Sequence, residues 1–181
     1  MLNASMISDS DIEAEVLIRH VLEMDRAQYF ASLTDTVSPC DSETLQQLVV
    51  LRLGGVPLSY ITGTREFYGL EIAVNRDVLI PRQETELVVD LALDYIGNRL
   101  NRGSRSVADV ADVCTGSGAI GVAVAVNCDN VKIVASDINS SAIEIAEHNF
   151  NAHGVADKAL MVKSVLMEKS PGPYDLILCN P

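Results

Sequence analysis

The sequence has no tryptophan and only three Phe and five Tyr in 181 residues, so its core must be mostly aliphatic. Its four cysteines (Cys40, Cys114, Cys128 and Cys179) are scattered and form no Cys-x-x-Cys pair. That spacing argues against a disulfide framework or a zinc site, and for a reducing, cytoplasmic setting; no metal is expected. A positively charged leader is missing: Asp9, Asp11, Glu13 and Glu15 stand where one would be needed, so no signal peptide is read. No apolar run reaches the roughly 18–20 residues of a membrane span. Clusters of Lys or Arg are also lacking. The net charge is −12, with 5 basic and 12 acidic residues in 1–80 and 8 and 13 in 81–181. A chain of that sign repels a polyphosphate, which disfavours nonspecific nucleic-acid binding and favours a cationic cofactor or a basic protein partner.

What is present is enough apolar material, 48% of residues, for one good-sized core or for one domain with a small appendage. Residues 9–25 have the spacing of an amphipathic helix capped by Ser8 or Asp9, with Ile12, Val16, Ile18 or Arg19, and Leu22 on one stripe. A shorter helix follows over 26–33. A third, capped by Asp41 or Ser42, turns Leu45, Leu48, Val49 and Leu53 inward and ends at Gly54-Gly55. These helices carry no chemistry; residues 1–60 read as a helical, partner-binding domain. Pro57, Gly63 and Gly69 punctuate the stretch 56–69 as linker, and the linker between the domains is placed at 61–82, with short strands at 66–68 and 70–74 and a strand-like run at 78–80. Residues 83–100 read as a helix with Leu87, Val88, Leu91 and Tyr95 on its buried face, and 101–104 as a polar loop.

From there strands alternate with helices: strands at 106–111, 131–136, 160–162 and 174–179, helices at 120–126 and 139–151. The alternation predicts an α/β domain over 83–181, a doubly wound, Rossmann-like parallel sheet with helices on both faces. In such sheets the ligand lies beyond the C-terminal strand ends. The loop Asp112-Val113-Cys114-Thr115-Gly116-Ser117-Gly118-Ala119-Ile120-Gly121, Asp137, Ser164 to Leu166, and Asn180 all fall there. The glycines of the loop permit unusual backbone angles and let a ligand approach the main chain.

Gly116 to Gly121 formally match Gly-x-Gly-x-x-Gly, and Asp137 lies 21 residues after Gly116, as a ribose-binding acid would. A nicotinamide-dependent dehydrogenase is one reading of those two features. S-adenosylmethionine fits better: it offers ribose hydroxyls to Asp137, has no phosphates to grip, and its positive sulfonium and ammonium suit a site edged by Asp112 and Asp137. Asn180-Pro181 adds a chemical argument. An amide or aryl-amine nitrogen is a poor nucleophile because its lone pair is delocalised. An Asn side-chain oxygen and a neighbouring backbone carbonyl can accept both of its N–H groups and aim the lone pair at a methyl group, which is catalysis by positioning and fixed dipoles.

Several strings, taken together, resemble the HemK/PrmC family: Pro57-x-x-Tyr60-Ile61-x-Gly63, Glu66-Phe67-Tyr68-Gly69, Val78-Leu79-Ile80-Pro81-Arg82-x-Glu84-Thr85-Glu86, the Asp112 to Gly118 loop, and Asn180-Pro181. Members are class I protein-(glutamine-N5) methyltransferases that act on peptide chain release factors. The resemblance implies methyl transfer to the glutamine of the release factor's Gly-Gly-Gln motif. It implies that Cys114, Thr115, Gly116, Ser117 and Gly118 wrap the methionine part of the cofactor and that Asp137 holds the ribose. Asn180, with the backbone of Pro181, would hold the glutamine amide, and the N-terminal helices would dock the release factor. The sequence departs from the family in three places. Gln83 replaces a usual Pro. Ser164-Val165-Leu166 offers no carboxylate near the adenine, where Leu166 would instead form an apolar wall. The motif continues in the family as Asn-Pro-Pro-Tyr with further strands, so the chain reads as a fragment with weak or no activity of its own. The rival readings are an amino-methyltransferase acting on nucleic-acid bases, which would need a basic channel, and a non-catalytic binding module.

Overall fold

Helical periodicity fills the first third of the chain, and β-branched runs alternate with helices in the rest. The chain divides accordingly into two compact units, Met1–Gly63 and Thr64–Pro181. The computed structural model describes residues 9–101, 106–169 and 172–181. The expected cap Ser8 and most of the polar loop expected at 101–104 lie outside them. Among the described residues no helix is long and apolar enough to cross a membrane.

The first unit consists of α1 (Ser10–Val21), α2 (Arg26–Ala31), α3 (Pro39–Leu53) and the short α4 (Leu58–Thr62). α1 touches each of the other three. Its fully buried residue is Leu17, whereas Ile12, expected on the inner stripe, is exposed. Arg52 of α3 donates two hydrogen bonds to the Glu13 carboxylate of α1, at 2.7 and 2.9 Å. α3 starts earlier than the sequence suggested. Pro39 takes the first turn, where its missing N–H has no partner to lose, and the Ser38 hydroxyl accepts from the Asp41 N–H at 3.1 Å. The stretch expected to be a linker contains α4, entered through Pro57 and left through Gly63 at a φ of 78°.

The second unit opens with an antiparallel hairpin, β1 (Thr64–Phe67) and β2 (Leu70–Ala73). Tyr68 and Gly69 turn it with φ of 54° and 73°. The Glu66 carboxylate accepts from the Gly69 N–H at 2.7 Å, and Glu86 accepts from the Tyr68 N–H at 2.9 Å. The expected strand at 78–80 does not form. The Asn75 side chain accepts from the Asp77 N–H and its carbonyl accepts from the Val78 N–H. That turn bends the chain away from any strand partner, and Val78 is buried as an anchor. A single 3-10 turn, Gln83–Thr85, then leads into α5 (Glu86–Asn101). α5 buries Val89, Ala92 and Ile96; of the stripe expected to be buried, Leu87 and Leu91 are each 61% exposed and Tyr95 47%. The helix is apolar on two stripes, and only packing decides between them.

β3 (Ala108–Val113), β4 (Val131–Asp137), β5 (Ala159–Lys163) and β6 (Leu176–Cys179) form a parallel sheet in the order β5-β4-β3-β6. All four C-terminal ends therefore point the same way. The register sets Val113 opposite both Ser136 and Cys179. α6 (Ala119–Asn127) packs against α5 on one side and α7 (Ser140–Ala152) on the other, so the three helices form one layer on the sheet. The core is aliphatic, with Val110, Val122, Val124 and Ile133 fully buried and Phe67 and Phe150 as its large side chains.

Asn149 of α7 joins three parts of this unit. Its buried carboxamide accepts from the Ala73 N–H at 2.8 Å, donates to the Ala73 carbonyl at 3.0 Å, and donates to the Ser117 carbonyl at 2.8 Å. It thus pairs with the last residue of β2 as another strand would, and holds the glycine loop with the same group. Asn149→Ala leaves three backbone groups without these partners and should destabilise the protein by roughly 2–4 kcal/mol. Urea denaturation measures this; a loss below about 1 kcal/mol would mean that the amide does not tie the hairpin to the sheet.

Candidate functional site

The site is built at the tip of β3. Cys114 and Gly116 adopt φ of 57° and 54°, and Gly118 starts α6 at 77°. The Asp112 carboxylate is folded beneath this turn and is 1% exposed. Its Oδ2 accepts from the Thr115 hydroxyl at 2.6 Å and from the Gly121 N–H at 3.1 Å. Burial, with a smaller push from the Asp137 charge, raises its pKa from 3.8 to about 6 against the pull of those two hydrogen bonds. Asp112 was expected to edge the ligand site as a negative wall. It is instead a buried clamp that closes the loop on the helix, and its carboxylate does not line the cleft.

The three glycines of the Gly-x-Gly-x-x-Gly string have different physical reasons. A Cβ on Gly121 would lie 2.9 Å from Asp112 Oδ2 and 2.9 Å from the Phe150 ring. One on Gly118 would lie 3.0 Å from the Ala146 Cβ. One on Gly116 would meet nothing within 4 Å. Gly118 and Gly121 serve packing; Gly116 combines a positive φ with open space in front of the main chain.

At the tip of β4, Asp137 Oδ2 accepts from the Gly116 N–H at 3.0 Å, and its Oδ1 accepts from the Asn139 N–H at 2.9 Å. The carboxylate therefore stands against the Gly116 turn, half-buried, with lone pairs left on both oxygens. Beyond β5, the Ser164 N–H donates to the Asp137 carbonyl at 2.9 Å. Leu166 sits at a φ of 49°, with its carbonyl accepting from the Ser136 hydroxyl at 3.2 Å. Its side chain is exposed. Beyond β6 come Asn180 and Pro181, both exposed. The Asn180 Nδ2 donates to Thr85 Oγ1 at 3.2 Å. Cys114 and Cys179 are free thiols that touch across the β3 and β6 tips; burial, and then the neighbouring Cys179, raise the Cys114 pKa, so it is a poor thiolate.

These tips enclose a small cleft of about 50 Å³. Cys114, Thr115, Gly116, Ser117, Ala119 and Ile120 form its sheet side, with Asn180 beside them. Phe67, Leu79, Pro81 and Thr85, from the hairpin and the turn before α5, form the other wall. The expected residues Asp137, Gly118, Leu166 and Pro181 are not among the residues that line it. A larger depression of about 440 Å³ lies elsewhere, over the N-terminal halves of β3, β4 and β5, among Asp109, Lys132, Asp157 and Lys158. Size alone would favour it, but it holds none of the strand-tip groups. The hairpin wall was missed in the sequence because its residues acquire a role only once Asn149 and Glu86 dock the hairpin.

A parallel sheet with a glycine turn at its central strand tip, an acid at the next and Asn-Pro at a third defines a Rossmann-like methyltransferase domain. Residues 89–181 match the methyltransferase small domain family, and residues 1–63 match the PrmC N-terminal domain. The chain belongs to the methyltransferase small domain family and carries a PrmC N-terminal domain ahead of it. It is 38% identical to the release factor glutamine methyltransferase of Bordetella pertussis over 94% of this chain and 61% of that protein. It is 33% identical to the release factor glutamine methyltransferase of Chlorobaculum tepidum over 97% of this chain and 61% of that one. The chain thus spans about three fifths of the length of these curated relatives. Among solved structures, the human methyltransferase 10 domain containing protein is similar in fold, with 23% identity, a TM-score of 0.50, and 63% and 55% of the two chains covered.

Two outcomes follow from the loop geometry. Gly121→Ala must displace the Asp112 carboxylate or Phe150 and should cost roughly 1–3 kcal/mol, whereas Gly116→Ala carries only backbone strain of about 1 kcal/mol. Thermal denaturation of the pair tests this, and a larger loss at Gly116 would contradict the assignment. The second concerns pH. Unfolded Asp112 ionises near 3.8, while the folded protein keeps its proton until about 6. Between those values the unfolded chain releases the proton first, so this group's contribution to stability falls as pH rises, by about 3 kcal/mol in total. The stability of the protein relative to Asp112→Asn should therefore decline from pH 4 to pH 6 and level off above; a difference independent of pH would refute the buried clamp.

Proposed function

We propose that this protein transfers a methyl group from S-adenosylmethionine to the side-chain amide nitrogen of the glutamine in the Gly-Gly-Gln motif of peptide chain release factors. The observation that carries this reading is the cleft in which the Gly116 turn and the Asn180 carboxamide meet. The names of the relatives supply the substrate class.

The residues present fit the cofactor. The open space before Gly116 lets a ligand lie against the main chain, where a Cβ would intrude on it. Cys114, Thr115, Gly116, Ser117 and Gly118 would hold the methionine part, Asp137 would accept from the ribose hydroxyls, and Leu166 would offer an apolar surface to the adenine. When bound, the cofactor supplies a methyl carbon made electrophilic by its sulfonium. The protein's own share is positioning. Asn180 Oδ1 and the backbone beside Pro181 accept from the two N–H groups of the glutamine amide. That arrangement holds the nitrogen in one orientation and weakens the conjugation that makes it unreactive. The apolar wall of Phe67, Leu79 and Pro81 keeps water from the nitrogen. The first unit would dock the release factor, and the acidic chain would meet a basic surface on it. A cytoplasmic enzyme of translation termination is the corresponding setting.

The test is transfer of labelled methyl groups to purified release factor, with a release factor lacking the Gly-Gly-Gln glutamine as control. Asn180→Ala should lower the rate on the order of 10²–10³, as removal of a key dipole does, with cofactor affinity by calorimetry nearly unchanged. Equal losses in rate and affinity would mean that Asn180 does not act on the substrate amide.

A further inference from the structure

We infer that Thr85 is a positioning residue that orients the Asn180 carboxamide, so that the hairpin wall of the cleft sets the alignment of the substrate amide. The inference rests on the function proposed above for the role of Asn180, and on separate geometry for Thr85.

An Asn side chain at a strand tip can rotate about its terminal torsion, and its two ends have opposite hydrogen-bonding character. Only the oxygen end can accept the N–H groups of an incoming amide; the other end would present donors to donors. Asn180 lies just beyond β6 and is exposed, so sheet packing does not fix that torsion. Among the described residues, one hydrogen bond does: Nδ2 donates to Thr85 Oγ1 at 3.2 Å. With the nitrogen engaged there, the oxygen at the other end of the same planar group is the one available to an incoming N–H.

Thr85 is held independently of Asn180. It ends the 3-10 turn Gln83–Thr85, directly before α5. The next residue, Glu86, accepts from the Tyr68 N–H at 2.9 Å, and the Tyr68 hydroxyl donates to Asp90 at 2.7 Å, one turn along α5. Asn149 anchors the other end of the hairpin to the glycine loop through Ala73 and Ser117. Thr85 and Asn180 lie 95 residues apart in sequence and line the same cleft. Thr85 thus carries the placement of a rigid, multiply tethered element to a side chain that has no other hydrogen bond among the described residues.

The experiment compares Thr85→Val, which keeps shape and removes the hydroxyl, with Thr85→Ser, which restores it, in the full chain. Two readouts are needed. The first is solvent exchange of the Asn180 side-chain NH₂ by nuclear magnetic resonance, with the signal assigned by its loss in Asn180→Ala. Exchange should accelerate about tenfold in Thr85→Val and return towards the starting rate in Thr85→Ser, as expected for a lost and regained hydrogen bond. The second is methyl transfer. Thr85→Val should lower kcat about 10–100-fold, the size of effect expected from a misplaced reacting group, with cofactor affinity unchanged, rescue by Thr85→Ser, and little further loss when combined with Asn180→Ala. Unchanged exchange in Thr85→Val, or a kcat effect that adds fully to that of Asn180→Ala, would overturn the inference. If the unaltered chain binds no S-adenosylmethionine by calorimetry, the function proposed above fails, while the exchange measurement still decides whether Thr85 holds Asn180.

Discussion

The second unit depends on one buried anion. Asp112 sits at the end of β3, out of water, with its Oδ2 shared between the Thr115 hydroxyl and the Gly121 N–H. Hydrogen bonds to a charged group are worth about 1.5–3 kcal/mol each. The raised pKa, about 6, is the net result after those bonds have pulled against burial. Burial outweighs them, so as an anion the clamp costs stability rather than adding it. What it adds is a single loop conformation: the strand end, the turn and the first turn of α6 are pinned to one oxygen. The glycines follow from it. Gly121 must lack a side chain because Asp112 and Phe150 already occupy that space.

A second constraint joins the hairpin to this loop. Asn149 satisfies both backbone groups of Ala73 and the carbonyl of Ser117 with one planar amide. A neutral group suits that task better than a charged one, because a carboxamide can donate and accept simultaneously and carries little desolvation penalty once fully paired. The cleft consequently has two walls with separate supports, one borne by the sheet through Asp112 and Asp137 and one borne by the hairpin through Asn149 and Glu86.

How much of this was legible in the sequence depended on whether a feature is local. The glycine loop, the acid 21 residues on and the Asn-Pro after a strand are short patterns whose geometry is fixed within a few residues, and the parallel topology carries their tips to one edge. The Asp137 carboxylate stands at the Gly116 turn at 3.0 Å. Features decided by partners far away were not legible. α5 has apolar residues on two stripes, and the inner one became clear only with the sheet in place. Asp112 is the exception, since its partners are only 3 and 9 residues away: it reads as a negative wall because the sequence does not say whether a carboxylate at a strand end turns out into the cleft or back beneath its own loop. An Asn in the middle of a helix, as Asn149 is, carries no signature until partners 76 and 32 residues away are known. The run at 78–80 is apolar, with Val78 and Ile80 β-branched, yet it follows the Asn75 turn and forms no strand.

These observations bear on why a site for methyl transfer would be built this way. The chemistry proposed for Asn180 stores no proton and creates no charge on that side chain; the proton that the nitrogen sheds as it gains the methyl group goes to solvent as the product leaves. It requires two acceptors at fixed positions beside a nitrogen. Misplacement by about 1 Å can remove a hundredfold of rate in such a case. A flexible side chain at the tip of an edge strand is a poor tool for that task by itself. Held at its nitrogen by a threonine from a rigid turn, and flanked by a loop locked on a buried carboxylate, it becomes a fixed dipole. The mostly aliphatic wall opposite strengthens that dipole by excluding water. On this view the buried clamp, the bridging carboxamide and the hairpin serve one requirement, which is that the acceptor at the β6 tip be immobile before the substrate arrives.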